Sequence, residues 1–278
     1  MSDVAILGAG PIGAAVAHKL AQRARVRRIR LVDANVNVAA GKALDIRQSG
    51  PVDGFDTSLG AASGPLDAVG ADAIVLADQV DGGEWQGEAG LALLRQLAAA
   101  GNRAPIVFAG PNQVWLMDAA ASELKLPGDR LIGTAASAVA TAIRAIAGVE
   151  LDLSGVDVSV VGRPPSFVIG WSAATVGGSL VTEIVSSHRL LAMSGALGRF
   201  WPPGPQAIAA PTARVVEALC SGSRQRHYAM TILDGELGIR GAAAMLPLEI
   251  GHGRVIRRVV PSLSPQERTE TISSIGKM

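Results

Sequence analysis

Gly8, Gly10 and Gly13 form a Gly-x-Gly-x-x-Gly turn, and an acid, Asp33, follows 20 residues after the last of them. These residue types at this spacing can hold a dinucleotide. Gly8 permits the tight turn, Gly10 lets the backbone approach a pyrophosphate, and Gly13 lets the following helix pack closely. Pro11 suits a first helical position, and the free N–H groups at the start of that helix can face phosphates. Asp33 can accept hydrogen bonds from a ribose diol and would repel a 2′-phosphate, which favours NAD over NADP. The expected cofactor-binding residues are therefore Gly8, Gly10, Pro11, Ile12, Gly13 and Asp33.

Other reactive side chains offer less. His18, His188, His227 and His252 have no carboxylate at a diagnostic spacing, and no cluster has the ligand pattern of a metal site, so no metal is expected. Cys220 is the single cysteine. It excludes an intramolecular disulfide and a Cys-cluster metal site, and it is expected to be an inert core residue in a reducing, cytoplasmic compartment.

The elements that must position the motif alternate. Residues 4–7 and 29–33 are apolar and read as strands, with a helix over 11–22 between them. A helix is expected over 39–46, ended by Gly50-Pro51, then a thin connection with one short strand over 53–70. Strands follow at 71–77, 105–110 and 130–134, and helices at 88–100 and 114–124. Strand–helix alternation requires a parallel sheet. A helix over 135–148, ended by Gly148, opens a second half of different texture. There residues 156–171 alternate as an antiparallel hairpin, and a helix spans 181–198. Another helix starts around Pro211, strands cover 227–233 and 243–250, and Pro247 marks the latter as an edge strand. Ser264-Pro265-Gln266-Glu267 announces a final helix with a capping box.

The fold class read from this order is α/β: a Rossmann doubly wound parallel sheet over 1–134, then an α+β C-terminal domain over 135–278. The chain has 278 residues, 49% hydrophobic and 18% charged, enough for a well-filled core. A formal net charge of +1 and only 3% aromatic residues argue against nucleic acid or an anionic membrane as partners. The basic run from Arg23 through Arg25, Arg27 and Arg28 to Arg30 is read as cations near a helix C-terminus plus a solvated edge.

Several segments in order resemble the lactate/malate dehydrogenase family. They are Gly8-Ala9-Gly10-Pro11-Ile12-Gly13, Leu31-Val32-Asp33, Gly41-Lys42-Ala43-Leu44-Asp45, Asp129-Arg130-Leu131-Ile132-Gly133, Ala210-Pro211 and Leu233-Asp234-Gly235-Glu236-Leu237-Gly238-Ile239. The resemblance implies an NAD-binding domain followed by a substrate domain, and a homo-oligomer, dimer or tetramer. It also implies a proton-shuttling histidine, an aspartate that orients it, an arginine that grips the substrate carboxylate, and a second arginine on a closing loop.

At the matching positions this chain differs. Val139 stands at the orienting acid, Ala142 at the carboxylate clamp and Pro164 at the histidine. The loop from Asp78 to Glu88 is short and has no arginine. No catalytic residue is therefore assigned, and family-type oxidation of lactate or malate is expected to be absent. Arg163, in the former catalytic turn, could hold an anion or face solvent as an ordinary loop arginine; Asn112 could serve the place of the family's asparagine. Trp85 could be a lid or fill space. Asp78 replaces a small residue beside the pyrophosphate path: a carboxylate turned inward would repel phosphates, one turned to solvent would not. The leading expectation is an NAD(H)-binding degenerate dehydrogenase acting as sensor or accessory subunit. The alternatives are an active oxidoreductase on another hydroxy substrate with a relocated acid/base, and a structural or partner-binding protein without cofactor.

Overall fold

A computed structural model describes residues 2–151, 155–223 and 225–276. Its first half alternates strand and helix: β1 (Asp3–Leu7), α1 (Pro11–Arg23), β2 (Arg28–Val32), α2 (Val36–Asp53), β3 (Ser58–Ala62), β4 (Ala73–Leu76), α3 (Gly87–Ala99), β5 (Ile106–Phe108), α4 (Val114–Ser122) and β6 (Leu131–Gly133). The second half holds α5 (Ala135–Leu151), β7 (Asp157–Arg163), β8 (Ser166–Val176), β9 (Ser179–Leu180), α6 (Val181–Ile184) and α7 (Ser187–Ala196). It continues with α8 (Pro205–Ser221), β10 (Arg226–Asp234), β11 (Arg240–Gly251), β12 (Arg254–Arg258) and α9 (Pro265–Gly276).

One sheet carries all these strands in the order β3-β2-β1-β4-β5-β6-β10-β11-β7-β8-β9, with β12 also on β11. Pairing is parallel from β3 to β6 and antiparallel from β6 onward. The chain leaves β1 in one direction through β2 and β3 and returns to its other side at β4. The crevice beyond the C-terminal ends of β1 and β4 is therefore the topological switch point, where such sheets hold ligands.

Strand alternation divides the core between the two faces of the sheet. Val4 and Ile6 enter one apolar cluster, Ala5 and Leu7 the other. Each cluster draws on both halves of the chain: Ile6 shares its side with Leu246, and Leu7 with Met245. The sheet runs without a break past residue 134, because β6 pairs with β10.

Five proline or helix expectations are corrected. Gly50-Pro51 does not end α2, which runs to Asp53 and stops at Gly54, a left-handed residue with φ 76°. In the last turn Pro51 forfeits only its own hydrogen bond, so the helix survives it. Helix α8 starts at Pro205, with Gly204 as cap, and Pro211 lies inside it. The turn before Pro211 is held by Ile208 and Ala209, both buried in the core. The expected helix over 181–198 is broken at Val185 and Ser186, whose backbones are extended. Strand β11 is not an edge: it pairs with β10 on one side and with β7 and β12 on the other. The Pro247 carbonyl accepts from Val259 N on the β12 side, so its missing N–H also faces that side. There it falls between the last pairing with β7, at Met245, and the first with β12, at Leu248. Helix α5 passes through Gly148 to Leu151.

The capping box is as read. Ser264 Oγ accepts from Glu267 N at 3.3 Å and Glu267 Oε2 accepts from Ser264 N at 2.7 Å. The basic run is more bound than expected. Arg23 and Arg25 face Glu217, Arg27 and Arg28 face Asp3, and Arg30 donates to the Asp67 carbonyl.

Candidate nucleotide site

Strand β1 delivers the glycine turn to the switch point, and α1 opens there with Gly10 as cap and Pro11 in its first turn. Gly8 has φ 113°, a conformation that glycine adopts freely, and its N–H bonds the Val32 carbonyl at 2.8 Å. Lys42 Nζ holds the Ala9 carbonyl at 2.5 Å, which ties the turn to α2. The six expected binding residues thus converge on one crevice edge.

The donors of that edge are already used. The N–H groups of Ile12 and Gly13 both donate to Asp78 Oδ1, at 2.9 and 3.0 Å. Gly10 N donates to the Asp78 carbonyl at 2.8 Å, and Ala14 N returns to Gly10 O at 2.9 Å. Pro11 has no N–H. Every backbone donor from the cap to the fourth helical residue is therefore satisfied within the chain. Asp78 is 5% exposed, so the solvent-facing reading of it is corrected. A Cβ on Gly10 would clash with the Gln79 carbonyl oxygen and lie 2.5 Å from Asp78 Cγ, so the glycine admits both the backbone and the carboxylate of this segment.

Asp33 is also engaged. Its Oδ2 accepts from Ala9 N at 2.9 Å and Val80 N at 3.0 Å, and its Oδ1 from Asn35 N at 2.9 Å. The segment that supplies Asp78 and Val80 is a short hairpin. Asp78 and Glu84 form an antiparallel bridge, and Gln79 N donates to Gly83 O at 2.8 Å. At its far end Trp85 Nε1 donates to the Leu7 carbonyl at 3.2 Å, so Trp85 anchors the hairpin to the end of β1. Glu84 binds Asn112 twice, Oε2 to the backbone N–H at 3.0 Å and Oε1 to Nδ2 at 2.8 Å. Burial raises the Glu84 carboxyl above its usual range and the nearby Asp78 charge adds to this, while the two Asn112 bonds oppose it. Asn112 is thereby occupied by Glu84.

As folded, this seat does not fit a dinucleotide diphosphate. A carboxylate and a phosphate oxygen cannot both accept from the Ile12 and Gly13 N–H groups.

Residues of the expected substrate side lie apart from this edge. Arg163, at the end of β7, is not solvent-facing: its side chain is 12% exposed and Nη2 lies 2.6 Å from Asp118 Oδ2 on α4. Nη1 donates to the Ala243 carbonyl at 3.3 Å. Pro164 forms the β7–β8 turn with Pro165, Val139 is fully buried and Ala142 half-buried on α5. Beyond the ends of β5 and β6, a cavity lined by Gly110, Gln113, Ala135, Trp201 and Met230 has a volume of about 10 Å³. The histidines stay outside the crevice. His18 lies 3.8 Å from Asp53 at the surface, and His227 contacts Ser223 while burial and Arg214 push its pKa down against Glu217. Cys220 is half-buried against the core rather than within it, and burial pushes its thiol up. Among the described residues no three His, Cys, Asp or Glu side chains form a metal-binding group, and no helix is long and apolar enough to cross a membrane.

Sequence reasoning placed the glycine edge and flagged Asp78. It missed Glu84 as the partner of Asn112, Lys42 as the clamp on Ala9, and Val80 N as the second donor to Asp33. The available signal was the pair of acids, Asp78 and Glu84, bracketing Asp81-Gly82-Gly83, a turn sequence just beyond a strand that ends in the crevice.

Residues 2–88 match the family model of the lactate/malate dehydrogenase NAD binding domain. Over 302 aligned residues the chain is 26% identical to a malate dehydrogenase of Chlorobium phaeobacteroides, covering 95% of this chain and 92% of that protein. It is 29% identical to an L-lactate dehydrogenase of Allorhizobium ampelinum over 295 residues, covering 95% and 93%. The fold matches the structure of malate dehydrogenase from Salinibacter ruber with a TM-score of 0.85 and 22% identity, covering 99% of this chain and 94% of that one. Residues 2–88 thus carry the lactate/malate dehydrogenase NAD binding domain, and relatives matched along 95% of the chain support membership of that family.

Proposed function

We propose that this protein is a degenerate member of the family, a nucleotide-responsive sensor or accessory subunit that does not oxidise lactate or malate. The observation that carries this reading is Pro164. It occupies the turn where the resemblance puts the proton-shuttling histidine, and proline has no ionisable group. Val139 and Ala142 support the reading, since neither an orienting acid nor a carboxylate clamp stands at those positions. Arg163 does not replace the clamp, because its fork is held by Asp118 and Ala243.

The experiment is a direct assay. Purified protein is mixed with NAD and L-lactate or L-malate, and with NADH and pyruvate or oxaloacetate, and absorbance at the reduced-nicotinamide band is followed. The expected rate is that of the cofactor and acid alone. Loss of one catalytic group of such a set commonly costs several powers of ten. Turnover of any of the four acids at an ordinary enzymatic rate overturns the proposal.

A further inference from the structure

We infer that Asp78 is a built-in anionic ligand of the dinucleotide seat, and that NAD(H) binds only when the 78–85 hairpin withdraws from it. The inference rests on the seat being a nucleotide site and goes beyond it by naming what competes there.

The competition is visible donor by donor. A helix N-terminus attracts a diphosphate through its free N–H groups. Here the two that point into the crevice, on Ile12 and Gly13, converge on the single oxygen Oδ1 of Asp78. The arrangement is that of an anion on a helix start, with the anion supplied by the chain itself. The ribose acceptor is covered in the same way, since Val80 N sits on Asp33 Oδ2. The phosphate position is thus taken by Asp78, and one oxygen of the ribose acceptor by Val80, two positions further along the same segment.

The segment is anchored at its other end as well. The Asp78–Glu84 bridge, the Trp85 indole on Leu7 and the Glu84–Asn112 pair hold the hairpin shut. Withdrawal must break these contacts or pivot about them. The glycines of the motif suit both occupants, because Gly10 gives the backbone clearance that either a carboxylate or a phosphate needs. Asp78 also adds a negative charge against any diphosphate that enters while it stays.

For a site whose competent form is a minor state, apparent affinity falls by the populated fraction. Removing the internal ligand raises that fraction and tightens binding, without any new contact to the cofactor.

The test titrates NADH into the full chain by fluorescence and by calorimetry, comparing wild type with Asp78→Ala and Asp78→Asn. Thermal melting establishes that each variant is folded. The expected result is a dissociation constant lower by about ten-fold or more in Asp78→Ala. ADP, which adds the diphosphate to adenosine and lacks the nicotinamide half, shifts in the same direction, whereas adenosine, which has no phosphate, changes less. Asp78→Asn keeps the shape and removes the charge, and it also binds more tightly than wild type; it serves if the alanine variant does not fold. Binding of NADH to a folded variant that equals wild type, is weaker, or is absent overturns the inference. Binding and turnover fail separately: hydroxy-acid oxidation by wild type sinks the proposed function and leaves this result standing, and equal affinities do the reverse.

Discussion

Arg23 and Glu217 form a two-point ion pair, Nε to Oε1 at 2.5 Å and Nη2 to Oε2 at 2.8 Å, that fastens the end of α1 to α8. The residues are 194 positions apart, so this contact joins the helix that opens the nucleotide seat to the second half of the chain. Glu217 is 5% exposed, and its side-chain bond holds the Arg23 guanidinium above its ordinary value, with burial opposing and the Glu217 charge assisting.

Breaking this pair from one side is costly because the other charge stays where it is. Glu217→Ala is expected to lose about 3 kcal/mol, the lower part of the range for buried pairs, since Arg23 keeps partial access to water. Arg23→Ala is expected to lose less than Glu217→Ala, because Arg25 lies 3.9 Å from the same carboxylate and can take over. Urea unfolding midpoints of the two variants decide the order; an equal or reversed order removes Arg25 from the account.

The Asp118 carboxylate serves two elements at once, Arg163 through Oδ2 at 2.6 Å and the Ala243 N–H through Oδ1 at 2.7 Å. Asp118→Ala strands a mostly buried guanidinium and is expected to cost about 3–5 kcal/mol. Asp118→Asn keeps an acceptor for Ala243 and is expected to cost less, about 1–3 kcal/mol. Chemical denaturation measures both. A neutral effect of Asp118→Ala would show that Arg163 is free to serve an external anion.

Glu267 is held below its ordinary range. Burial alone would raise it, but bonds from the Ser172 hydroxyl and N–H and from Ser264 together outweigh burial. A depressed pKa gives stability that is present above the unfolded value, about 4.3, and is lost as pH falls through the folded one. Wild type is therefore expected to lose stability below that value more steeply than Glu267→Gln. Ser264→Ala, which removes the reciprocal cap, is expected to cost about 1 kcal/mol at neutral pH. Thermal midpoints taken across the acid range test both statements, and parallel pH profiles for wild type and Glu267→Gln would refute the first.

Glu84 runs the other way. Its folded pKa is raised, so the folded state binds the proton more tightly and stability rises as pH falls from neutral through that raised value. Glu84→Gln is expected to flatten this part of the profile and to cost nothing, or to stabilise slightly, at pH 7. Subtracting the two stability curves isolates the group. A difference that grows in favour of wild type with rising pH contradicts the sign.

What was legible in the sequence was local. The glycine turn, Pro11 at the head of α1 and the Ser264–Glu267 box each join residues within a few positions, and their geometry follows from the residue types alone. The strand–helix alternation up to β6 was legible for the same reason, because each element shows its own period. Pro211 and Pro247 misled because a proline's effect depends on what packs around it. Ile208 and Ala209 in the core held the turn before one, and a gap between β7 and β12 received the other.

Sequence alone pointed to the α/β Rossmann-type fold, the NAD binding domain and the glycine turn at the head of α1. Under the proposed function, Pro164, Val139 and Ala142 stand at the positions where the resemblance puts the family's chemistry. Tertiary structure decided where the charges point. The direction of Asp78 depends on how a strand 66 residues from Ile12 meets the start of α1, and the pairings of Arg163 with Asp118 and Arg23 with Glu217 depend on neighbours brought together by the sheet. A carboxylate's partner is fixed by distance in space, and the sheet order that sets those distances is itself a long-range property of the whole chain.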